Sequence, residues 1–419
     1  MKSIQTKKVK VVNDKTLIVT VDVSKDKHTG YARCPDRTET KPFEFFNNGK
    51  GFNEFWSRIS MVKKANNLEE IIVGFESTGP YAEPLIQFLK KRDVKLVQVN
   101  PMHTKRLKEL QGNSPNKTDD KDPKVIADII ELGHALTVVV PEGAAAELRR
   151  LTQARERSMQ RRTALLNQLQ GLIFIIFPEF LQIMKDIKTK SAQYLIKHYC
   201  TPHGIEECGV ERLTHTLRKI SRGKLGKERA EELFNAAKTS VGITEGQRSI
   251  VFEIKEILAH IEACERFSDE VEKEMSQNLG QIPYSCFILS IKGIGDVTAA
   301  GIIGEVGDFS KFNTIAEIEK LAGLDLFEIS SGKHKGIRRI SKRGRSLLRK
   351  FMYFAALNVI RKGGILHKEY HAFVDRGKPK MKALIAIARK LLRIMFALVR
   401  NHSEFTVNYS KPSQLKMAA

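Results

Sequence analysis

Two carboxylates stand at the ends of two apolar segments early in the chain. Residues 17–23 form a continuous apolar and β-branched run that contains Asp22, and residues 71–76 repeat this pattern and end on Glu76. Such runs are typical of strands that are buried on both faces of a sheet. A carboxylate in that position is costly unless it is hydrogen-bonded or binds a metal. The pair therefore predicts a metal site, although either acid alone could simply end its strand at the solvent.

Two further acids, Asp119 and Asp122, precede a helix-like segment and complete a set of four. Carboxylates are the hard oxygen ligands that Mg²⁺ prefers. Two such ions about 4 Å apart can hold the attacking and leaving oxygens of a phosphodiester. The set therefore predicts phosphodiester chemistry with two Mg²⁺ ions. Alternatively, Asp119 or Asp122 is the N-cap of a helix that Pro123 begins, and Asp120 could substitute as a ligand.

The segments around these acids predict the elements that must bring them together. Strands are expected at residues 17–23, 28–34, 43–46, 71–76 and 94–99. Apolar residues at helical spacing predict helices at residues 52–64, 81–91 and from 122 onward. We expect Pro101 to end the last strand. The order β-β-β-α-β-α-β-α is that of the RNase H-like fold, in which the first strand, the fourth strand and the last helix carry the acids.

Pro123 limits the last of these helices. A proline has no N–H to donate, and its ring collides with the carbonyl four residues back. A straight helix therefore cannot run from Thr118 through Val125. We expect Asp122 at or near the N-cap and Asp119 on a loop or before a kink.

The net charge favours a polyanionic partner. The chain has 419 residues, enough for two or three domains, and a net charge of +23. From residue 281 to the end, 25 Lys and Arg stand against 10 Asp and Glu, and residues 329–368 contain 12 Lys and Arg and no acid. A solvated basic face is normally interspersed with acids. This stretch is therefore expected to contact phosphates.

Cysteine usage and hydropathy indicate the compartment. The five cysteines are scattered and lack any Cys-x-x-Cys spacing, so neither a zinc site nor a disulfide framework is expected. No apolar run approaches 18 residues, and the basic residues 1–8 are not followed by the apolar h-region of a secretion signal. We expect a cytoplasmic protein without a membrane segment or a secretion signal.

The middle of the chain has the clearest periodicity. Steps of four and three relate Ile250, Ile254, Ile257, Ile261, Cys264, Ser268, Val271 and Met275, which is typical of a coiled-coil seam. An earlier helix over residues 147–176 carries Leu148, Leu151, Leu165, Leu169, Leu172 and Ile176. The two helices could pair antiparallel within the chain or cross to another subunit. Residues 187–241, between them, are interpreted as a helical insert of unknown role.

Several of these motifs together resemble the insertion-sequence-110 transposase family. Four segments resemble the DEDD domain of that family: Val21-Asp22-Val23-Ser-Lys, Gly74-Phe-Glu76-Ser-Thr-Gly79-Pro-Tyr, Val99-Asn-Pro101 and Lys117-Thr-Asp119-x-x-Asp122. Four later segments resemble the C-terminal domain of that family: Gly293-Ile-Gly295-x-x-Thr298-Ala, Ala322-Gly-Leu324, Ser331-Gly332 and Ile340-Ser-Lys342-Arg-Gly344. The segment around Gly293 and Gly295 also resembles a helix-hairpin-helix element, in which glycines let backbone N–H groups approach a DNA phosphate. Two glycines also suit any tight turn between helices.

The resemblance implies three domains and a tail. Residues 1–144 would be an RNase H-like (RuvC-like) α/β domain whose DEDD acids bind Mg²⁺. Residues 145–280 would be an α-helical coiled-coil spacer with the insert. Residues 281–401 would be a basic, mostly α-helical transposase domain, followed by a tail at 402–419. Nucleic-acid contacts are expected from Gly293, Gly295, Lys333, Lys335, Arg338, Arg339, Lys342, Arg343 and Arg345.

The resemblance also implies the chemistry. A serine attacks a phosphodiester and is held as a phosphoserine–DNA link, while the acids and Mg²⁺ complete a composite site. The family's enzymes are guided by an RNA from the element's own end, act on the element ends and target DNA, and assemble as dimers and tetramers. A Ser-Gly pair alone is far more often a turn than a catalyst. The aligned motif selects Ser331 as the nucleophile, with Ser330 as the competitor.

Two other functions are compatible with the sequence. In a Holliday-junction-type endonuclease the metal ions would activate water and Ser331 would be structural. A covalent protein–DNA intermediate separates this enzyme from the transposase. An inactive nucleic-acid-binding descendant of a transposase is the other alternative. The four acids argue against it, because a binding protein has no use for them.

Overall fold

The structure is a computed structural model that describes residues 12–76, 79–111, 122–328, 336 and 338–406. Contacts between residues divide the chain into two compact units. Met1–Pro141 and Val306–Ala419 form the first unit, and Glu142–Glu305 form the second. The N-terminal and C-terminal parts of the chain therefore belong to one unit, while the boundaries of the three predicted domains stay a prediction.

A mixed six-stranded sheet forms the centre of the N-terminal part, in the order β3-β2-β1-β4-β5-β6. Its strands are β1 (Thr16–Asp22), β2 (Lys27–Arg33), β3 (Phe43–Phe46), β4 (Glu70–Glu76), β5 (Lys95–Val99) and β6 (Leu136–Thr137). β1, β4 and β5 are parallel, and the other strands pair antiparallel with their neighbours. The helices are α1 (Gly49–Ala65), α2 (Glu83–Lys90), α3 (Pro101–Gln111) and α4 (Asp122–Glu131). The predicted mixed α/β start of the chain is thus confirmed.

The continuous apolar runs of β1 and β4 are explained by burial on both faces. Because strand residues alternate between faces, Leu17 and Val19 pack with α1 and α2, whereas Ile18 packs with α4 on the other side. Ile72 of β4 joins Ile18 in this second core. A strand buried in this way needs apolar residues at successive positions rather than alternate ones.

Two predictions about helix starts have different outcomes. The helix expected near Asp122 does begin at Asp122, as α4. The expectation that Pro101 only ends a strand is incomplete, because Pro101 also begins α3. The side chain of Asn100 accepts a 2.9 Å hydrogen bond from the N–H of Met102, as an N-cap does. Proline suits the first helical position because its missing N–H would have no helical partner there.

The second unit is helical. Its helices are α5 (Ala144–Ile176), α6 (Pro178–Ile183), α7 (Lys190–Tyr199), α8 (Pro202–Cys208), α9 (Val210–Ser221), α10 (Lys227–Lys238), α11 (Gln247–Gly280), α12 (Ser285–Leu289) and most of α13 (Asp296–Val306). α7 to α10 are the predicted insert, and they share an apolar core with the end of α5 and the start of α11.

Helices α5 and α11 pair antiparallel within the chain, which decides between the two arrangements left open by the sequence. Polar pairs join Arg155 to Glu272, Arg162 to Glu265 and Gln168 to Glu253 across the pair. Positions later in α5 thus meet positions earlier in α11. Between these pairs, the hydroxyl of Ser158 donates to the carbonyl of Cys264 at 3.1 Å.

The predicted seam is confirmed on α11, and the earlier helix predicted over residues 147–176 is present as α5. The buried residues on α11 include Ile254, Ile257, Ile261, Cys264, Ser268, Val271 and Met275, while Ile250 is half-buried. On α5 the buried residues are Ala145, Leu148, Thr152, Ser158, Leu166, Leu169, Ile173 and Ile176. Leu151, Leu165 and Leu172 are half-buried. Thr152 enters the seam because its hydroxyl is satisfied by the carbonyl of Leu148 at 2.6 Å.

The C-terminal part is mostly helical, as predicted. It contains α14 (Ile315–Leu321), a short pair of strands β7 (Leu326–Phe327) and β8 (Arg339–Ile340), then α15 (Ser346–Val359), α16 (His367–Asp375) and α17 (Lys380–Asn401). The buried carboxylate of Glu319 on α14 accepts hydrogen bonds from Arg389 and Arg393 on α17. Among the described residues, none of the helices combines the length and apolarity needed to cross a membrane.

Candidate active site

Asp22 and Glu76 end two neighbouring parallel strands. β1 and β4 pair in a register that places Val21 opposite Phe75, so the next residues, Asp22 and Glu76, stand side by side. Each is half-buried at the end of a buried strand. Residues at equal positions of paired strands project to the same face of the sheet. The predicted pair is therefore brought together at one edge of the sheet.

The third acid, Asp122, is the first residue of α4. The carbonyl of the next residue, Pro123, accepts a 2.7 Å hydrogen bond from the buried hydroxyl of Thr20 on β1. Gly74 on β4 leaves room for the same helix, because a Cβ there would lie 2.3 Å from Cδ1 of Ile130. These contacts hold α4 against the two strands that carry the other acids.

Helix α3 adds two residues that the sequence analysis did not identify. The buried hydroxyl of Thr104 donates a hydrogen bond to the carboxylate of Glu76. Lys108, one turn later, forms an ion pair with the carboxylate of Asp122. Residues four apart lie on the same side of a helix, so α3 presents both side chains to the acids. Asn100-Pro101, an N-cap followed by a proline at the first helical position, is the signal that could have revealed this helix.

The acids influence one another electrostatically. Burial raises the pKa of the Glu76 carboxyl above its ordinary value, and the charges of Asp22 and Asp122 contribute to the rise. The Thr104 hydrogen bond and the Lys108 charge act in the opposite direction without cancelling it. Three carboxylates therefore lie close enough in one partly buried site to affect one another, with the Lys108 cation beside them.

The ligand chemistry of this site fits a hard divalent cation, because such ions bind carboxylate oxygens. The fourth predicted ligand, Asp119, and its alternative, Asp120, lie outside the described residues. In the part of the chain that the structure describes, no group of three or more His, Cys, Asp or Glu side chains is arranged to hold a metal ion. The acids therefore fit a metal by ligand type, whereas Asp122 is paired with Lys108 rather than arranged as a ligand.

Two C-terminal motifs pack against each other. The N–H of Lys342 donates to the carbonyl of Gly323 at 3.0 Å. Gly323 has a φ of +64°, which favours glycine. At Gly344 a Cβ would lie 2.4 Å from the carbonyl oxygen of Leu321. Close backbone contact, rather than a ligand contact, therefore accounts for the glycines of Ala322-Gly-Leu324 and Lys342-Arg-Gly344.

The predicted nucleophile belongs to the connection between β7 and β8. These strands pair antiparallel, with Leu326 opposite Ile340 and Phe327 opposite Arg339. Ser331 and its competitor Ser330 both lie in this connection and outside the described residues, as do Lys333 and Lys335.

The other predicted nucleic-acid-binding side chains differ in exposure. Arg339, Lys342 and Arg343 are exposed. Arg338 is also exposed, and its Nε lies 2.6 Å from Oε2 of Glu328. Arg345 instead donates from Nη2 to the carbonyl of Val139 at 2.6 Å. Its guanidinium therefore supports the fold of the first unit.

Gly293 and Gly295 lie in the turn between α12 and α13. Gly293 has a φ of +102°, which only glycine adopts readily. The carbonyl of Gly295 accepts from the N–H groups of Thr298 and Ala299, each at 3.0 Å, and so starts α13. Both glycines thus form a tight turn between two helices.

Comparisons with known proteins agree on one family. A family model described as a transposase, of the DEDD type of IS110, matches residues 19–178, and another, described as the transposase IS116/IS110/IS902 family, matches residues 286–372. An uncharacterised 44.8 kDa protein of insertion element IS116 from Streptomyces clavuligerus is 24% identical and covers 85% of this chain and 89% of its own length. The transposase for insertion sequence element IS1111A from Coxiella burnetii is 24% identical, and the match covers 73% of this chain and 72% of the relative's length. An uncharacterised 43.6 kDa protein of insertion element IS110 from Streptomyces coelicolor is also 24% identical, and the match covers 68% of this chain and 71% of the relative's length.

Proposed function

Because the chain belongs to the IS110 family of insertion-sequence transposases, we propose that it cuts and rejoins DNA at a composite site formed by its DEDD acids and Ser331. A transposase of this family binds DNA, and the DEDD type uses a divalent metal. We assign the N-terminal sheet to the RNase H-like fold, since its order β3-β2-β1-β4-β5-β6 is compatible with that fold and β1 and β4 carry the acids. Asp22, Glu76, Asp119 and Asp122 would hold two Mg²⁺ ions.

The observation that carries the proposal is the grouping of Asp22 and Asp122 around Glu76. Divalent ions, when bound there, would supply positive charge to the phosphate oxygens in the transition state. The chain's own contribution is to fix the carboxylates. β1 and β4 hold Asp22 and Glu76 in register, Thr104 donates to Glu76, and α4 brings Asp122 to the same edge.

Ser331 would be the nucleophile in this mechanism. Its hydroxyl would release a proton as its oxygen forms a bond to phosphorus, the bond from phosphorus to the departing deoxyribose oxygen would break, and that oxygen would take up a proton. A serine hydroxyl is weak by itself and needs a base, a metal or nearby positive charge. The basic residues that follow Ser331 and the bound metal ions would supply this positive charge.

The organisation of the first unit supports a composite site within one chain. Residues 12–141 and 306–406 share this compact unit, and Arg345 from the C-terminal part donates to Val139 from the N-terminal part. We propose DNA at the element ends and the target as substrates, a guide RNA from the element's own end, and assembly as dimers or tetramers. The excess of positive charge, +23, suits two nucleic acids.

The metal site is tested with Asp22→Ala and a matched control. Asp22→Ala should abolish Mg²⁺-dependent strand cleavage and leave DNA binding largely intact, because the acid acts on chemistry rather than on affinity. Asp26→Ala removes an exposed acid from the following turn and should cleave normally. Full Mg²⁺-dependent cleavage by Asp22→Ala would show that the proposed metal site is wrong.

The nucleophile is tested by trapping the covalent intermediate. A labelled DNA substrate should become attached to the protein and survive denaturation with detergent. Ser331→Ala should eliminate this adduct, whereas Ser330→Ala should retain it. Recombination by Ser331→Ala at the wild-type rate would remove this residue from the mechanism. It would favour water as the nucleophile, as in a Holliday-junction-type endonuclease.

A further inference from the structure

Lys108 occupies an unusual position for a lysine. Its ammonium group pairs with Asp122, whose side chain is only 13% exposed, and the lysine side chain itself is 33% exposed. The lysine also lies close enough to Glu76 for its charge to act on that carboxyl. An exposed ion pair on a protein surface contributes little. Here, in contrast, the cation lies among partly buried carboxylates that would otherwise repel one another.

We propose that Lys108 is an internal cation of the acidic site, which neutralises Asp122 and its neighbours until a divalent metal ion displaces it. This inference rests on the proposed function, because it requires Asp22, Glu76 and Asp122 to be metal ligands. It adds a residue that the DEDD set does not contain. Lys108 is thus a positioning residue: it acts through Asp122.

The argument starts from competition for one carboxylate. An oxygen of Asp122 that holds the ammonium group must be released before it can take a place in the coordination shell of a metal. A divalent ion and an ammonium group that both contact Asp122 would also repel each other in a partly buried site. Both effects weaken metal binding in the wild-type chain.

The side chain of lysine suits such an exchange. It is a point charge on a flexible stem of four carbons, unlike the rigid fork of arginine. Lys108 can therefore move towards solvent without displacing the backbone of α3. Before metal binds, the same ion pair joins α3 to the start of α4 and holds Asp122 at the edge of the sheet.

A purely structural ion pair makes a different prediction. If Lys108 only joined α3 to α4, its removal would lower stability equally with and without metal, and metal affinity would fall or stay the same. If Lys108 competes with metal, its removal should lower stability in the absence of metal and raise metal affinity. The two roles therefore differ in the sign of the change in affinity.

The test measures binding of Mn²⁺ alone, by calorimetry and by electron paramagnetic resonance, to the full-length chain. Lys108→Met should bind Mn²⁺ about tenfold more tightly than the wild type, since a neighbouring positive charge is lost. Its melting temperature should be lower than that of the wild type in chelator and should rise more on addition of Mn²⁺. Lys108→Gln provides a second neutral side chain if Lys108→Met does not fold.

Two controls separate charge at this position from charge in general. Lys105→Met removes an exposed lysine from the same helix and should leave Mn²⁺ affinity unchanged. Lys108→Arg keeps the charge and should not bind Mn²⁺ more tightly than the wild type. Equal or weaker binding by both neutral variants at position 108 would overturn the proposal. Absence of Mn²⁺ binding from the wild type and all variants would instead overturn the metal site on which it rests.

Discussion

His28 shows how burial fixes the protonation of one residue in the sheet. The imidazole is fully buried, stacked on Phe52 with ring centroids 6.2 Å apart and in edge contact with Phe45 at 5.2 Å. Its Nδ1 accepts a 3.2 Å hydrogen bond from the N–H of Ser24. Because Nδ1 is an acceptor, the neutral ring carries its proton on Nε2. Protonation would place a charge in an apolar core and break the bond to Ser24.

This burial predicts a pH dependence of stability. Burial lowers the pKa of His28 below its ordinary value of 6.5. Below about pH 6.5 the unfolded chain therefore binds a proton at this histidine more readily than the folded chain does. The free energy of unfolding falls as the pH drops through this range. His28→Phe should reduce this fall, as measured by melting temperature between pH 8 and pH 5. His203→Gln, which changes an exposed histidine, should keep the wild-type slope. A wild-type slope in His28→Phe would contradict the prediction.

Some residue roles could be derived from sequence and others could not. Asp22 and Glu76 were identifiable because an acid inside an apolar run needs a physical explanation. Thr104 and Lys108 were not identifiable, because a threonine and a lysine on a polar helix have no unusual pattern around them. Only the packing of α3 beside the strand ends gives these two residues partners. The assignments of Asp119 and Ser331 stay predictions.

At the scale of elements, the strongest patterns predicted the structure best. The strands β1 and β4 and the α11 seam were predicted from regular patterns of apolar residues. α3 was missed, because its apolar residues are few and Pro101 was interpreted only as a stop. The burial of Thr152 and Ser158 on α5 was not predicted, because polar residues interrupt the apolar pattern although their hydroxyls are satisfied internally.

Helix α13 packs so closely on α5 that a glycine is needed between them. A Cβ at Gly304 would lie 2.7 Å from the backbone nitrogen of Arg149 and 2.8 Å from the carbonyl carbon of Leu148. Backbone atoms cannot move aside as a flexible side chain can. Gly304→Ala should therefore destabilise the protein by about 1–3 kcal/mol, as expected for overpacking.

A matched glycine in the partner helix provides the control. Gly171 lies within α5, and a Cβ there would meet nothing within 4 Å. Gly171→Ala should stabilise the protein by roughly 0.5–1 kcal/mol, because alanine loses less conformational freedom in a helix. Urea denaturation of both variants measures the two changes. Equal changes in the free energy of unfolding for the two variants would show that the close backbone approach at Gly304 does not exclude a Cβ.

At the scale of the whole molecule, the first unit contains both the acidic site and basic residues of the C-terminal part. His103 on α3 has a lowered pKa, mainly from burial, and the charges of His134, Arg343, Arg106 and Lys320 add to the effect. Arg343 and Lys320 come from the C-terminal part of the chain. The helix that presents Thr104 and Lys108 to the acids therefore lies close enough to the basic segment of residues 338–345 for the charge of Arg343 to act on it. A bound phosphate backbone could contact this segment while a neighbouring phosphodiester approaches the acids.

Two arginines in this segment should separate DNA contact from folding. Arg343 is exposed, whereas Arg345 donates its guanidinium to the carbonyl of Val139. Each phosphate contact that is lost should reduce the slope of log binding constant against log salt concentration by about 1. Arg343→Gln should therefore weaken DNA binding and flatten the slope while leaving the melting temperature unchanged. Arg345→Gln should lower the melting temperature, because the Val139 carbonyl loses its partner. An unchanged slope for Arg343→Gln would exclude this residue from the phosphate contacts.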